Sequence, residues 1–503
     1  MTARKSRPSR PSLPLADGAL IAAVAMAAFF NGMHGVWLDD DPVAITQNAD
    51  VQCERGLWGL WDNAEVLWSN DFWGEPMSSA QSHLSYRPLT TLSFRLQHCL
   101  MGLHSFSFHA VNVALHALTC LLLNDAFIGV LPRRSQRRFA ALLFALHSVH
   151  VEAVTNTVGR AELQCAVLFL LALRVYRPLT SRTRRSHQHL TRALVVTCAR
   201  ISGTIFLTGA SMLCKEGGIT AVACCATLDL AVAARQRALR PWRWRMRETL
   251  ALACRLGALA LGGVALLAAR LARNGWRAPE FTCADNAAAF CEHALCRVLS
   301  HAHLHWLQFR LLLLPTHLAH DWSMTTVPNV YDFSDRRAPL AVVPCVLVLA
   351  ALLRASLALR RATQRCSASP HRACSAEPPR GCLSQRTHGS STKANEASLF
   401  VALFVSTGWL VLPFLPSSGA FVTGACMQLS RHQACCVPSP HDVQRPVPRN
   451  QRRTPLCDHR PPMPHHRPPM PHLWHHPHTQ AAAQPAPSTG IPRCVPSSWF
   501  YSR

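Results

Sequence analysis

The chain has 503 residues, of which 49% are hydrophobic and only 15% charged, where a soluble protein of this size carries about a quarter charged residues. The apolar residues are gathered into blocks of near-span length rather than striped, which excludes an ordinary soluble domain and predicts an all-α polytopic membrane protein. The formal charge of +25 lies in arginine clusters between those blocks, without the aromatic interleaving of a base-stacking surface, and this argues against a nucleic-acid partner.

Read in chain order, a basic start over 1–13 (Arg4, Lys5, Arg7, Arg10) precedes a first apolar run at 14–33. That run has the small residues of a signal peptide near Ala25 to Ala28, but it continues into Phe29 and Phe30 and is expected to be a retained span. Further spans are predicted near 109–131, 138–157, 160–177, 193–214, 218–234, 250–272, 338–359 and 398–416, about nine to ten in all within a membrane domain at 14–425. The loops alternate in charge. Arg133, Arg134, Arg137 and Arg138 follow the second span, Arg177, Arg182, Arg184, Arg185 and Arg192 the fourth, and Arg235, Arg237, Arg240, Arg243, Arg245 and Arg247 the sixth. These loops are assigned to the cytosol by the positive-inside rule, with Trp242 and Trp244 as interface anchors. Residues 34–108 instead carry nine acids against Arg55, Arg87 and Arg95, and are assigned to the lumen. The stretch 299–319 is broken by His301, His303, His305, Gln308 and Arg310, so it is expected to re-enter or lie in the interface, leaving 273–337 luminal. Residues 426–503 are rich in Pro, His and Arg, repeat 459–465 as 466–472, and are expected to be disordered. The 21 cysteines follow no spacing motif, which supports neither a zinc module nor a disulfide framework.

Polar groups gather at the luminal ends of the spans. Asp39, Asp40 and Asp41 follow the first span; His147, His150 and Glu152 sit on the third, with the two histidines on one helix face. Arg160 and Glu162 precede the fourth span, and Lys215 and Glu216 lie between the fifth and sixth. Each has a plainer reading: a solvated loop edge, a hydrogen-bonded core histidine pair, or snorkelling ion pairs. Without a further ligand the two histidines and glutamate do not make a metal site. The convergence of all four clusters on one side of the membrane favours a functional site over the separate plain readings.

The string Asp40-Asp41-Pro-Val-Ala-Ile45, Asn70-Asp-Phe-Trp-Gly74, Ser82-His-Leu-Ser-Tyr-Arg-Pro-Leu89 and Phe108-His-Ala-Val-Asn112 with His116 continues in order. Next come His147-Ser-Val-His-Val-Glu-Ala-Val154, Val158-Gly-Arg-Ala-Glu162, Leu213-Cys-Lys-Glu-Gly-Gly-Ile-Thr220, Asp285-Asn286, Asp321-Trp-Ser-Met324 and Val411-Leu-Pro-Phe-Leu-Pro416. Together they resemble the transmembrane and tetratricopeptide-repeat (TMTC) family of endoplasmic-reticulum O-mannosyltransferases, over roughly residues 30 to 420. Leu84, Ser148 and Ala287 depart from that pattern, which usually has Lys, Pro and Pro there. The resemblance ends soon after Pro416, and no 34-residue helical repeat is legible beyond it.

The resemblance implies a GT-C-type membrane domain in the endoplasmic-reticulum membrane. It implies transfer of mannose from dolichyl phosphate mannose to Ser or Thr hydroxyls of luminal proteins, cadherins among them, with no cofactor beyond the lipid-linked donor and no metal demanded. A hydroxyl needs a carboxylate to accept its proton, an effect of about 10²–10⁴-fold, and Asp40 or Asp41 is the expected base. Arg87, Arg160 and Lys215, with His147 and His150 as donors, are expected to hold the leaving phosphate; Glu152, Glu162 and Glu216 are expected to orient them. Two other readings compete. The missing repeats suit a non-catalytic membrane isoform that binds partners or regulates longer relatives. A channel or transporter would place its ionisable groups at mid-membrane rather than at one rim.

Overall fold

In the computed structural model, residues 15–180, 190–239, 246–277, 286–319, 322, 326–367 and 382–413 are described. Among them the secondary structure is helical, and the only β-pairing is an isolated bridge between Asn70 and Pro76. The α-helices are α1 (Leu15–Ala28), α2 (Ala64–Leu67), α3 (Pro88–Met101), α4 (Ser105–Ala126), α5 (Arg134–Leu146), α6 (Val151–Thr155) and α7 (Arg160–Thr180). They continue as α8 (Leu190–Met212), α9 (Ala221–Leu239), α10 (Met246–Arg273), α11 (Ala294–Leu313), α12 (Ala338–Ser367) and α13 (Cys382–Val411). Runs of Leu, Ala and Val with all backbone bonds internal are what hydrocarbon requires. Six helices among the described residues are long and apolar enough to cross a membrane: those at 105–126, 194–212, 216–239, 246–273, 338–364 and 392–411. α1 is apolar but has only 14 residues, a rise of about 21 Å against a hydrocarbon layer of about 30 Å. α11 has the length of a span but not the apolarity, as its histidines foretell.

The third predicted span needs correction. α5 stops at Leu146, because His147 turns extended (ψ 122°) and its Nδ1 accepts the Val149 N–H at 3.2 Å. A single turn of 3-10 helix at 148–150 and the short α6 follow. His147, His150 and Glu152 therefore do not share a helix face; they lie on the broken connection between α5 and α7. The Trp242 and Trp244 anchor, Asp285, Asp321, the 1–13 start and the 426–503 tail lie outside the described residues.

α4 packs on α1, α5 and α7; α7 on α8 and α9; α9 on α10, α12 and α13; and α11 on α12. The core between α4, α7 and α9 is built from Leu122, Leu170, Leu173, Tyr176 and Cys225, with Leu259 of α10 closing it. At one end of the helices, acids within them take arginine partners. Asp17 of α1 meets Arg134 and Arg138 of α5, and Asp125 of α4 meets Arg174 and Arg177 of α7. Asp229 of α9, buried, accepts two bonds from Arg255 of α10 at 2.7 and 2.9 Å and one from the Tyr176 hydroxyl at 2.8 Å.

The 34–108 segment is ordered by an apolar cluster of Ala44, Ile45, Val51, Phe72, Phe94 and Phe108 and by buried polar groups around it. Asp71 accepts the Trp73 and Glu75 amides on Oδ1 and the Ser82 hydroxyl and His83 amide on Oδ2. Asn48 donates to the Ala44 and Phe72 carbonyls, and Arg95 donates to the carbonyls of Asp50, Gly59 and Asp62. Disulfides join Cys53 to Cys99 and Cys291 to Cys296, correcting the expectation of no disulfide framework. Cys53 and Cys99 are 46 residues apart, a separation no spacing motif encodes.

Adjacent glycines in the Lys215-Glu216-Gly217-Gly218 turn have different reasons to be there. A Cβ on Gly218 would sit 2.5 Å from the Ser211 carbonyl carbon and 2.6 Å from the Met212 nitrogen, whereas one on Gly217 would meet nothing within 4 Å. Gly218→Ala is expected to lower stability by about 1–3 kcal/mol, the scale of overpacking, and Gly217→Ala to leave it nearly unchanged. Thermal unfolding of the two variants in one detergent checks the contrast.

Candidate functional site

Asp39, Asp40 and Asp41 lie in a tight turn that follows α1 and a 3-10 helix at Phe30–His34. The Leu38 N–H donates to Asp41 Oδ2 at 3.1 Å, and the Asp41 N–H donates back to the Leu38 carbonyl at 2.9 Å. That reciprocal pair closes the turn over 38–41 and gives the neighbouring carboxylates opposite settings: Asp40 is exposed and Asp41 is 2% exposed. Burial pushes the Asp41 carboxyl above its ordinary value, opposed by the Leu38 amide, the Thr157 hydroxyl and the charge of a nearby His109.

Behind the turn lies a second layer. Asn112 of α4 donates to the Asn156 and Thr157 carbonyls at 3.0 and 3.2 Å and accepts from Arg160 Nε at 3.0 Å. Arg160, 1% exposed, also donates to the Phe108 carbonyl at 2.9 Å, and its guanidinium lies 4.6 Å from the Phe94 ring centre and 5.0 Å from that of Phe108. It has no carboxylate partner among the described residues. A Cβ on Gly159 would fall 2.5 Å from the Ala153 carbonyl oxygen, so the chain can pass there only as glycine.

The third group forms where α3, the 213–220 turn and α10 meet. Glu216 bridges two guanidinium groups, Arg87 through Oε2 at 3.1 Å and Arg270 through Oε1 at 2.8 Å. Arg270 also holds the Leu84 carbonyl at 3.2 Å and the Tyr86 carbonyl. Lys215 pairs with Glu162 at the start of α7. An aromatic path joins these groups to the aspartate turn: Arg87 lies over Phe72, Phe72 touches Phe94, Phe94 stacks on Phe108, and Phe108 meets Trp37.

Of the predicted site residues, Asp40, Asp41, Arg87, Arg160, Glu162, Lys215 and Glu216 are thus gathered into one region. The histidines are not. His147 Nε2 lies 3.0 Å from the Leu312 carbonyl, and His150 packs on Phe144 and His116. Glu152 is exposed. His109, Asn112, Thr157 and Arg270 were not among the sequence candidates. His109 and Asn112 stood inside a quoted motif, but nothing in their spacing to Asp41 or Arg160 announces the contact. No group of three or more His, Cys, Asp or Glu side chains that could hold a metal occurs among the described residues.

These features define a helical membrane protein with a polar site of carboxylates and guanidinium groups at one end of its helices. A family model described as "Protein O-mannosyl-transferase TMTC, DUF1736" matches residues 275–349. The chain is 33% identical over 427 residues to human Protein O-mannosyl-transferase TMTC4, covering 80% of this chain and 51% of that protein. It is 36% identical over 318 residues to mouse Protein O-mannosyl-transferase TMTC2 (63% of this chain, 36% of the relative) and 34% identical over 333 residues to mouse Protein O-mannosyl-transferase TMTC3 (63% and 34%). The chain belongs to the TMTC family, and it spans about half the length of TMTC4 and about a third of the other two relatives. No solved structure matches it.

Two expectations follow from the electrostatics. Glu216→Ala strands Arg87 and the buried Arg270, and is expected to cost about 1.5–3 kcal/mol, the scale of a charged hydrogen bond. Glu162→Ala, at a more exposed pair, should cost under about 1 kcal/mol; paired unfolding measurements test the order. Because the folded Asp41 carboxyl titrates above its ordinary 3.8, the fold favours its protonated form. The wild type should hold its full advantage over Asp41→Asn below pH 3.8 and lose it as pH rises through the raised value.

Proposed function

We propose that the chain transfers mannose from dolichyl phosphate mannose to Ser or Thr hydroxyls of secretory-pathway proteins, cadherin-type domains among them, at the endoplasmic-reticulum membrane. The observation that carries the reading is the exposed Asp40 carboxylate on a turn locked by Asp41, joined through packed aromatic rings to a cluster of cations. The names of the relatives support the activity. The face bearing residues 34–108 is taken as luminal, supported by its acidic charge and by disulfides in both the 34–108 and 273–337 segments, which an oxidising compartment sustains.

In this reading Asp40 accepts the proton of the acceptor hydroxyl as that oxygen attacks the anomeric carbon. The bond from that carbon to the phosphate oxygen breaks, and its electron pair leaves with the dolichyl phosphate. A single displacement inverts the sugar and passes through an oxocarbenium-like state. Arg87 and Lys215, with side chains 19% and 33% exposed, meet the leaving phosphate, while Glu216 and Glu162 hold them in place. Arg160 and Arg270, at 1% and 8% exposure, serve by positioning rather than by contact. His147 and His150 are left out of the phosphate set because their surroundings are the α5 end and Leu312.

Purified chain in lipid nanodiscs, given dolichyl phosphate mannose and a cadherin repeat, tests the reading. Asp40→Asn is expected to lose about 10²-fold or more in kcat, and Arg87→Ala to raise the KM for the donor. Full activity in Asp40→Asn would overturn the base assignment. A folded wild type that binds donor lipid but transfers nothing would favour the non-catalytic reading instead.

A further inference from the structure

Three buried side chains from three elements face one another behind the aspartate turn: Asp41 of the turn, His109 of α4 and Thr157 of the connection before α7. They are 2%, 3% and 0% exposed. Asp41 Oδ1, Thr157 Oγ1 and both ring nitrogens of His109 make no hydrogen bond of ordinary geometry. A buried polar atom left alone keeps its full desolvation penalty, so four of them in one pocket mark a site rather than packing. The chain gives His109 its space deliberately. A Cβ on Gly35 would fall 2.8 Å from His109 Nε2, and the Val36 and Thr155 carbonyls lie near the imidazole. The charged groups that act on His109 are Asp41 and, from α7, Arg160.

A neutral imidazole has one donor and one acceptor nitrogen, and an imidazolium has two donors. In a pocket lined by two carbonyls, a hydroxyl and a carboxylate, a proton moving between His109 and Asp41 always finds an acceptor, and the pair keeps zero net charge either way. We propose that His109 is a positioning residue that shares a proton with Asp41 in this closed pocket and so holds the 38–41 turn in the register that presents Asp40. The coupling runs through Asp41 to Leu38, whose amide and carbonyl both bond Asp41. Its catalytic consequence rests on Asp40 serving the transfer reaction; the Asp41–His109 coupling itself does not.

The test separates the two. In pH-difference infrared spectra of the full chain in nanodiscs, the protonated-carboxyl band that disappears in Asp41→Asn belongs to Asp41. Removing the His109 charge or the Thr157 hydroxyl takes away groups that favour the Asp41 anion. The band's titration midpoint should therefore move up in His109→Gln and in Thr157→Val. An unmoved or lowered midpoint in folded His109→Gln overturns the coupling, and His109→Asn decides in its place should His109→Gln not fold. This readout needs no transfer activity, so it stands even where the wild type transfers nothing. In transfer assays kcat of His109→Gln should fall about 10- to 100-fold, the scale of a misplaced catalytic group, with donor KM unchanged. A raised KM at unchanged kcat would assign His109 to donor binding and overturn the positioning role.

Discussion

The Arg160 guanidinium ties the polar rim to the helical bundle. It is buried to 1% exposure, held by the Asn112 side chain and the Phe108 carbonyl, and sandwiched against the rings of Phe94 and Phe108. A buried cation without a directly bonded carboxylate is costly unless hydrogen bonds and ring faces offset its lost hydration. Here those partners come from α3 and α4, while Arg160 itself opens α7. Moving any of the three would expose the charge to an unmade bond, so the arrangement resists distortion. The carbonyls of Asn156 and Thr157 are fixed to the same Asn112, and Thr157 lines the Asp41 pocket. The geometry around the aspartates is thereby inherited from one buried guanidinium.

The 34–108 segment follows the opposite rule from the spans it joins. The spans bury apolar stripes and pair a few acids with arginines at one end, as Asp229 does with Arg255 and Tyr176. The loop segment also buries polar side chains, each with two or more backbone partners: Asp71 closes its own turn over 73–83, while Asn48 and Arg95 reach stretches 24 to 45 residues away. Such side chains satisfy the loop's backbone groups around a small apolar cluster of Ala44, Ile45, Val51, Phe72, Phe94 and Phe108, and together they make it rigid. The Cys53–Cys99 bridge fastens it to α3. Rigidity of this kind is what a transfer site needs if a hydroxyl and a phosphate are to be held in line.

Adjacent carboxylates can serve different ends. Asp41 spends its hydrogen-bonding on Leu38, and its burial favours the neutral acid; Asp40 remains in the open on the turn that results. Of the Asp40 and Asp41 pair this leaves Asp40 accessible, beside the likewise exposed Asp39. The cationic cluster is arranged in the same way, with Arg270 buried to hold Glu216 and the Leu84 and Tyr86 carbonyls while Arg87 reaches the surface.

The all-helical membrane class, the alternation of basic and acidic loops, most of the spans and the gathering of Asp40, Asp41, Arg87, Arg160, Glu162, Lys215 and Glu216 were legible in the sequence. Hydrophobic block length and charge clustering are local properties, and the resemblance supplied the motif order. The break after Leu146 was not legible. Residues 147–152 carry no proline or glycine to end a helix, and the His147 backbone and its cap onto Val149 decide the stop. Tertiary structure alone separated Asp40 from Asp41, because burial depends on what covers a residue and not on its neighbours in the chain. It also brought His109, Asn112, Thr157 and Arg270 to the site and paired Cys53 with Cys99. Those contacts join residues 45 to 186 positions apart, and a separation of that size leaves no periodicity or spacing to read.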